Sequence, residues 1–374
     1  MSLLRAQTSD LKQLESAGRL RGLAPRVGAD FASNDYLGLA ESLELAEAAK
    51  AALERGVSVG SGGSRLLRGN HPQHEVLEAE AARFFGREAA LFMPTGFAAN
   101  TTLFATLPQT GDLIVHDALI HASTHEGLRL TRAETRSAVH NDAGAFDDAI
   151  ADWRAKGGTG QVWVAVESLY SMDGDFAPLA DLADIAGRQD AVLVVDEAHA
   201  TGVFGPGGRG LSAQLGARDN LITLHTCGKA LGCEGALLCG PQAMRDHIVN
   251  RGRGFIFSTA PSPLTAAIAR SALEICERSD RLREELTQRV ERAKTLLEPF
   301  GAECHGSPII PLVLGDDRRT MEIAEKMQQA GFDIRGIRPP SVPEGTGRLR
   351  IVMTLNTSAA ELEAMADCLA RALR

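Results

Sequence analysis

The sequence predicts a large α/β domain built on a mostly parallel, mixed sheet, followed by a smaller α+β domain. Three observations lead there. Short, wholly apolar runs alternate with helical patterns between residues 40 and 265, the signature of a sheet covered on both faces. After Ala260-Pro261-Ser262-Pro263 the texture changes to amphipathic helices with few strands. A chain of 374 residues, 44% hydrophobic and 23% charged, is long enough for more than one core and too apolar to be disordered. We therefore divide it into an N-terminal segment at 1–39, a large domain at 40–265 and a C-terminal domain at 266–374.

The elements follow in order. The first segment is mixed and ends in the turn-rich stretch SNDYLGLA (33–40). An alanine-rich helix is expected at 42–55, then a glycine-dense loop at 56–70. The pattern at 71–86 predicts an amphipathic helix burying Val76, Leu77, Ala81, Phe84 and Phe85, with Gly86 as its stop. Strands are expected at 89–93, 112–116, 162–166, 191–195, 221–225 and 235–239, and helices at 97–107 and 178–189. One long helix is expected from 264 to 299. Strands at 308–314 and 348–353 and helices at 320–331 and 358–374 complete the smaller domain. Pro339 and Pro340 fix φ, so residues 338–343 are expected to be extended and stiff.

Charge and cysteine usage narrow the function. A net charge of −9 gives no general attraction to nucleic acid or to an anionic membrane, and neither is an expected partner. No apolar run approaches the roughly 20 residues that span a bilayer, and the first residues hold no apolar stretch of a secretory leader. All six cysteines lie between Cys227 and Cys368, with no C-x-x-C pair and no histidine at zinc spacing. Reduced thiols in a cytoplasmic protein, and no metal, are the expectation.

The informative residues sit where strands end. Open α/β sheets bind ligands beyond the carboxyl ends of their strands. Here those ends read PTGFAAN (94–100), DALIHAST (117–124), ESLYSMDGD (167–175), DEAHATG (196–202) and TCGKALG (226–232). Singly, each has an ordinary structural explanation: a turn, a helix cap, a solvated lysine, a structural histidine. Together, an Asp, a His three residues on, a Thr-x-x-Lys and a glycine turn in one sheet point to a shared site. A lysine amine condenses with an aldehyde, a carboxylate holds a protonated pyridine nitrogen, and a helix start with a hydroxyl holds a phosphate. Those are the requirements of pyridoxal 5′-phosphate. GPGGRG (205–210) matches a dinucleotide fingerprint only formally, because it does not directly follow a strand, carries Pro206 and opens no clear helix.

DEAHATGVFGPGGRG (196–210), TCGKALG (226–232) and ESLYSMDGDFAPL (167–179) resemble the α-oxoamine synthases. SNDYLGLA, GSGGSRLLRGN, PTGFAAN, IHAS and FSTAPSP (257–263) extend the similarity over nearly the whole chain. These are PLP-dependent transferases of fold type I that condense an amino acid with an acyl thioester and lose CO2. The resemblance implies that Lys229 carries the cofactor, that Asp196 pairs with its ring nitrogen, and that His199 and Ser171 lie by its phenolic oxygen. It implies that His121 stacks on the ring and that Gly96, Phe97 and Thr226 cradle the phosphate. Ser258 and Thr259 match a segment that reaches the phosphate of a neighbouring subunit, which implies a homodimer. Arg350 matches the residue that holds the amino-acid carboxylate, and Arg21 and Ser341 match substrate-side positions.

RPPSVPEGTGRLR (338–350) resembles the C-terminal motif of the family's biotin-pathway member. That implies L-alanine and either pimeloyl-CoA or pimeloyl acyl-carrier protein as substrates. The sibling activities share the cofactor residues and stay open at this point: glycine C-acetyltransferase, 5-aminolevulinate synthase and serine palmitoyltransferase. So does a non-catalytic binding protein of the same fold. Two departures stand out: Ser341 replaces the usual threonine, and Cys227 replaces a larger apolar residue.

Overall fold

The computed structural model describes residues 3–23 and 25–374. It divides into two compact units. The larger comprises residues 35–171 and 175–284; the smaller comprises residues up to 34, 172–174 and 285–374.

The larger unit is built on a seven-stranded sheet of β1 (Ala89–Met93), β2 (Leu113–Asp117), β3 (Glu134–Ala138), β4 (Val162–Glu167), β5 (Ala191–Asp196), β6 (Leu221–Thr226) and β7 (Ala236–Gly240). Their spatial order is β1-β7-β6-β5-β4-β2-β3. Only β7 runs antiparallel to its neighbours, so the sheet is mixed and mostly parallel, as the sequence predicts.

The apolar runs are unbroken because both faces of the sheet are covered. Alternate residues point to opposite sides. Leu113, Val115, Val162, Val164, Leu193 and Val195 pack with Phe146, Ile150, Trp153, Leu179 and Leu182 of two helices on one face. Ile114, Trp163, Ala165, Val194, Ile222 and Leu224 pack on the other with Ala99, Leu103 and Phe104 of the helix Gly96–Thr106. Continuing this period of two past the apolar runs sends Glu167, Asp196 and Thr226 to the second face. That alternation brings three polar strand ends together under one helix.

The smaller unit holds a three-stranded antiparallel sheet of β8 (Ile309–Gly315), β9 (Arg335–Ile337) and β10 (Gly347–Val352), in the order β9-β10-β8. Leu349 and Ile351 of β10 are fully buried. The intervening Arg348 and Arg350 are buried as well, and each has a polar partner: Arg348 pairs with Asp173, and Arg350 donates to Asn34 Oδ1 at 3.0 Å.

Several expectations change. The helix at 264–299 is two helices, Pro263–Glu277 and Asp280–Leu297. The first ends where Ser279 Oγ donates to the Ile275 carbonyl (2.6 Å) and Arg283 to that of Cys276 (2.7 Å). In the helix Pro72–Phe85, Val76 is exposed and the polar Glu78 is buried instead. Glu78 pairs with Arg65 (2.7 Å) and accepts the Phe92 N–H of β1 (2.9 Å), an ion pair that hydrophobic periodicity does not register. Residues 338–343 are not extended: the Ser341 N–H reaches back to the Arg338 carbonyl (3.2 Å) and closes a turn. The strand β3 had no counterpart in the sequence reading, because its residues ETRSA lie at the sheet edge and are mostly exposed.

Candidate active site

Seven of the residues singled out in the sequence line one cavity at the carboxyl ends of the larger unit's strands: Gly96, Phe97, His121, Asp196, His199, Thr226 and Lys229. Asn100, Ser123 and Glu167 line it too.

Asp196 ends β5 and is held on both oxygens. Asn100 Nδ2 donates to Oδ2 at 2.7 Å, and the Ala198 N–H donates to Oδ1 at 2.9 Å. Asn100 also donates to Ser123 Oγ (3.0 Å), which lies 2.8 Å from His121 Nδ1. The Ser123 backbone N–H donates to the same nitrogen at 3.2 Å, so His121 caps the helix Ala122–Leu130 with an unprotonated Nδ1. Burial pulls His121 below the usual imidazole value; the charge of Asp196 opposes this and that of Lys229 adds to it. A neutral ring results at pH 7.

Lys229 is positioned by a loop that folds back on itself between β6 and β7. The Cys227 N–H bonds the Gly235 carbonyl (2.8 Å), the Cys233 N–H that of Cys227 (2.9 Å) and the Gly232 N–H that of Lys229 (2.8 Å). Gly232 is required here: its φ is +66° and a Cβ would stand 2.5 Å from the Ala40 nitrogen. Lys229 Nζ lies 2.6 Å from His199 Nε2, and His199 Nδ1 lies 2.6 Å from the hydroxyl of the buried Tyr36. Cys227 is a fully buried free thiol, and its hydrogen bond with the Cys233 thiol together with burial pushes it up. It acts as a small apolar residue.

The helix Gly96–Thr106 opens at the cavity. Thr95 Oγ1 caps it by accepting the Ala98 N–H (3.0 Å). By geometry, the first amides, those of Gly96 and Phe97, have no acceptor inside the helix and suit an anion. The donor set therefore fits pyridoxal 5′-phosphate: an amine, a fixed carboxylate, a neutral imidazole and a helix start beside the Thr226 hydroxyl.

Other candidates lie elsewhere. Ser171 follows β4, with its backbone N–H on the Glu167 carboxyl, and does not line the cavity. Ser258 and Thr259 follow the helix Arg253–Ile256 and do not line it either; Thr259 is exposed. Arg21, Ser341 and Arg350 belong to the smaller unit, where Arg21 donates to Ser341 Oγ at 3.2 Å. Sequence reasoning missed Tyr36, Asn100 and Glu167. Asn100 stands one helical turn after Gly96, and Glu167 is a second carboxylate ending a strand; both signals were readable. GPGGRG forms short 3₁₀ turns, with no phosphate-binding helix after it.

The aminotransferase class I and II family matches residues 27–369. The 8-amino-7-oxononanoate synthase of Anaeromyxobacter dehalogenans is 39% identical over 370 residues, covering 97% of this chain and 92% of that protein. The chain belongs to this synthase family. The 8-amino-7-oxononanoate synthase of Citrifermentans bemidjiense is 41% identical over 336 residues, covering 88% of this chain and 85% of the relative. The structure of a serine palmitoyltransferase from Sphingomonas wittichii superposes with a TM-score of 0.89 at 26% identity, covering 100% of this chain and 98% of that one. The fold is that of the PLP-dependent transferases, and the chain is a PLP-dependent acyltransferase of the α-oxoamine synthase family. No described helix is long and apolar enough to cross a membrane.

Proposed function

We propose that this chain condenses L-alanine with a pimeloyl thioester, carried on CoA or acyl-carrier protein, to give 8-amino-7-oxononanoate, CO2 and free carrier. The step belongs to biotin biosynthesis, in the cytoplasm, and the enzyme is a homodimer. The observation that carries the reading is the placement of Lys229 Nζ, 2.6 Å from His199 Nε2, in one cavity with Asp196, His121 and the start of the helix Gly96–Thr106.

Bound there, pyridoxal 5′-phosphate supplies a sink for the electron pair left when the alanine α-proton departs. Lys229 would hold the cofactor through its aldehyde, and its amine, when free, would serve as the base for that proton. Asp196, fixed by Asn100 and the Ala198 N–H, keeps a proton on the ring nitrogen. His121 would lie against the cofactor ring, and His199 and Ser171 would hold its phenolic oxygen. Gly96, Phe97 and Thr226 take the phosphate, joined by Ser258 and Thr259 from the neighbouring subunit. Arg350 holds the alanine carboxylate with two parallel hydrogen bonds, and Arg21 and Ser341 serve the substrate side. The alanine Cα then bonds to the pimeloyl carbonyl carbon as the carrier thiolate leaves and takes up a proton. The carboxylate departs as CO2, and Cα regains a proton.

The test is a product assay of alanine, glycine and serine against pimeloyl, acetyl, succinyl and palmitoyl thioesters. Alanine with pimeloyl thioester gives the highest kcat/KM. Replacing alanine by glycine costs about 10–200-fold, the reach of one methyl group in an apolar pocket. Changing the thioester costs more, because about five pimeloyl methylenes contribute about 0.8 kcal/mol each when buried. A higher kcat/KM for glycine with acetyl-CoA, or for serine with palmitoyl-CoA, overturns the substrate assignment.

A further inference from the structure

We propose that Glu167 is a positioning residue of this site that holds a proton at neutral pH, leaving Asp196 as the only negative charge of the carboxylate pair. The inference rests on the proposed role of Asp196 and adds to it a neighbour with a definite protonation state.

Glu167 ends β4 and Asp196 ends β5, and the two are register partners on adjacent parallel strands. Strand alternation sends both to the same face, into the same cavity. Two carboxylates side by side and out of water do not both ionise; the one with better donors keeps the charge. Their surroundings differ in that respect. Asp196 accepts from Asn100 Nδ2 and from the Ala198 N–H, one donor on each oxygen. Glu167 is wholly buried, and its Oε1 has no hydrogen-bond partner among the described residues. A half-charged oxygen left in that position is far costlier than a neutral one.

The charged groups facing Glu167 are Asp196 on β5, Asp117 at the end of β2, and Lys229 in the loop after β6. The two acids disfavour its anion and Lys229 alone favours it. The Ser171 N–H adds one donor. Burial, followed by the charge of Asp196, pushes the Glu167 carboxyl well above the usual range, against Lys229 and Ser171. The consequence for the site is specific. A second anion here would compete with Asp196 for Lys229 and for any cation bound in the cavity. A neutral acid does not.

Infrared difference spectroscopy on the full-length protein at pH 7 tests this. A protonated carboxyl has a carbonyl stretch well separated from that of carboxylates. Wild type minus Glu167→Gln should show that band, with the cofactor bound and with it removed. Absence of the band from wild type overturns the proposal. So does a band that survives unchanged in Glu167→Gln, which places the proton on another carboxyl. The cofactor-free arm does not depend on the enzyme's reaction, so it can fail while the functional assignment stands, and the reverse. Should Glu167→Gln not fold, Glu167→Leu takes its place in the same comparison.

Discussion

Asp196 depends on Asn100 and the Ala198 amide for its geometry, and through Asn100 and Ser123 it is tied to His121. Asp196→Asn keeps the shape but removes the charge that holds a proton on the cofactor ring. Turnover should fall by about a hundredfold or more with the fold intact, comparable to losing a preorganised electrostatic partner elsewhere. Asn100→Ala should cost less, since the carboxylate keeps its charge and its backbone donor. Steady-state kinetics beside circular dichroism check both, and near-normal turnover by a folded Asp196→Asn variant excludes the role. At this scale, Asp196, His199 and Lys229 were legible because they punctuate apolar runs. Tyr36 was not, although it stands in the quoted stretch SNDYLGLA: only the folded chain brings its hydroxyl to His199 Nδ1, 163 residues away.

Among the elements, the end of β2 and the loops after β3 and β4 are tied together by His140. Its Nδ1 lies 2.8 Å from Asp117 Oδ1 and its Nε2 2.8 Å from Asp175 Oδ2. Burial pulls His140 down, but the bonds to Asp117 and Asp175 outweigh it and raise it to about 10. The unfolded value is about 6.5. A raised folded value means that the stabilisation is complete below about pH 6.5 and is lost as pH rises through about 10. His140→Gln should therefore cost about 1–3 kcal/mol at pH 6, and the gap to wild type should close toward pH 10. Denaturant titrations of both proteins across that range measure it; a gap that is constant with pH rejects the account. The apolar strands were legible because burial on both faces leaves unbroken runs. The edge strand β3 was not, since one neighbour and solvent exposure leave its composition polar. The break near Ser279 also escaped, because it is set by side chains bonding backbone carbonyls rather than by a proline or glycine.

For the whole molecule, the fold class followed from the alternation of strands and helices, and the cofactor from the few residues that interrupt it. The composition of the chain says nothing about which acyl group it takes. The proposed homodimer is tested by sedimentation at working concentration. Phe257, 72% exposed beside Ser258 and Thr259, is a surface that a second copy would cover. The enzyme should sediment as a dimer; an active monomer contradicts the assignment of Ser258 and Thr259 to a neighbouring phosphate. The central claim is that Lys229 carries the cofactor, and its most direct test is chemical. Reduce the purified enzyme with borohydride, digest it and locate the pyridoxyl group by mass spectrometry. The label should appear on the peptide containing Lys229, with no label or turnover in Lys229→Ala. Label on another lysine in the native enzyme contradicts it.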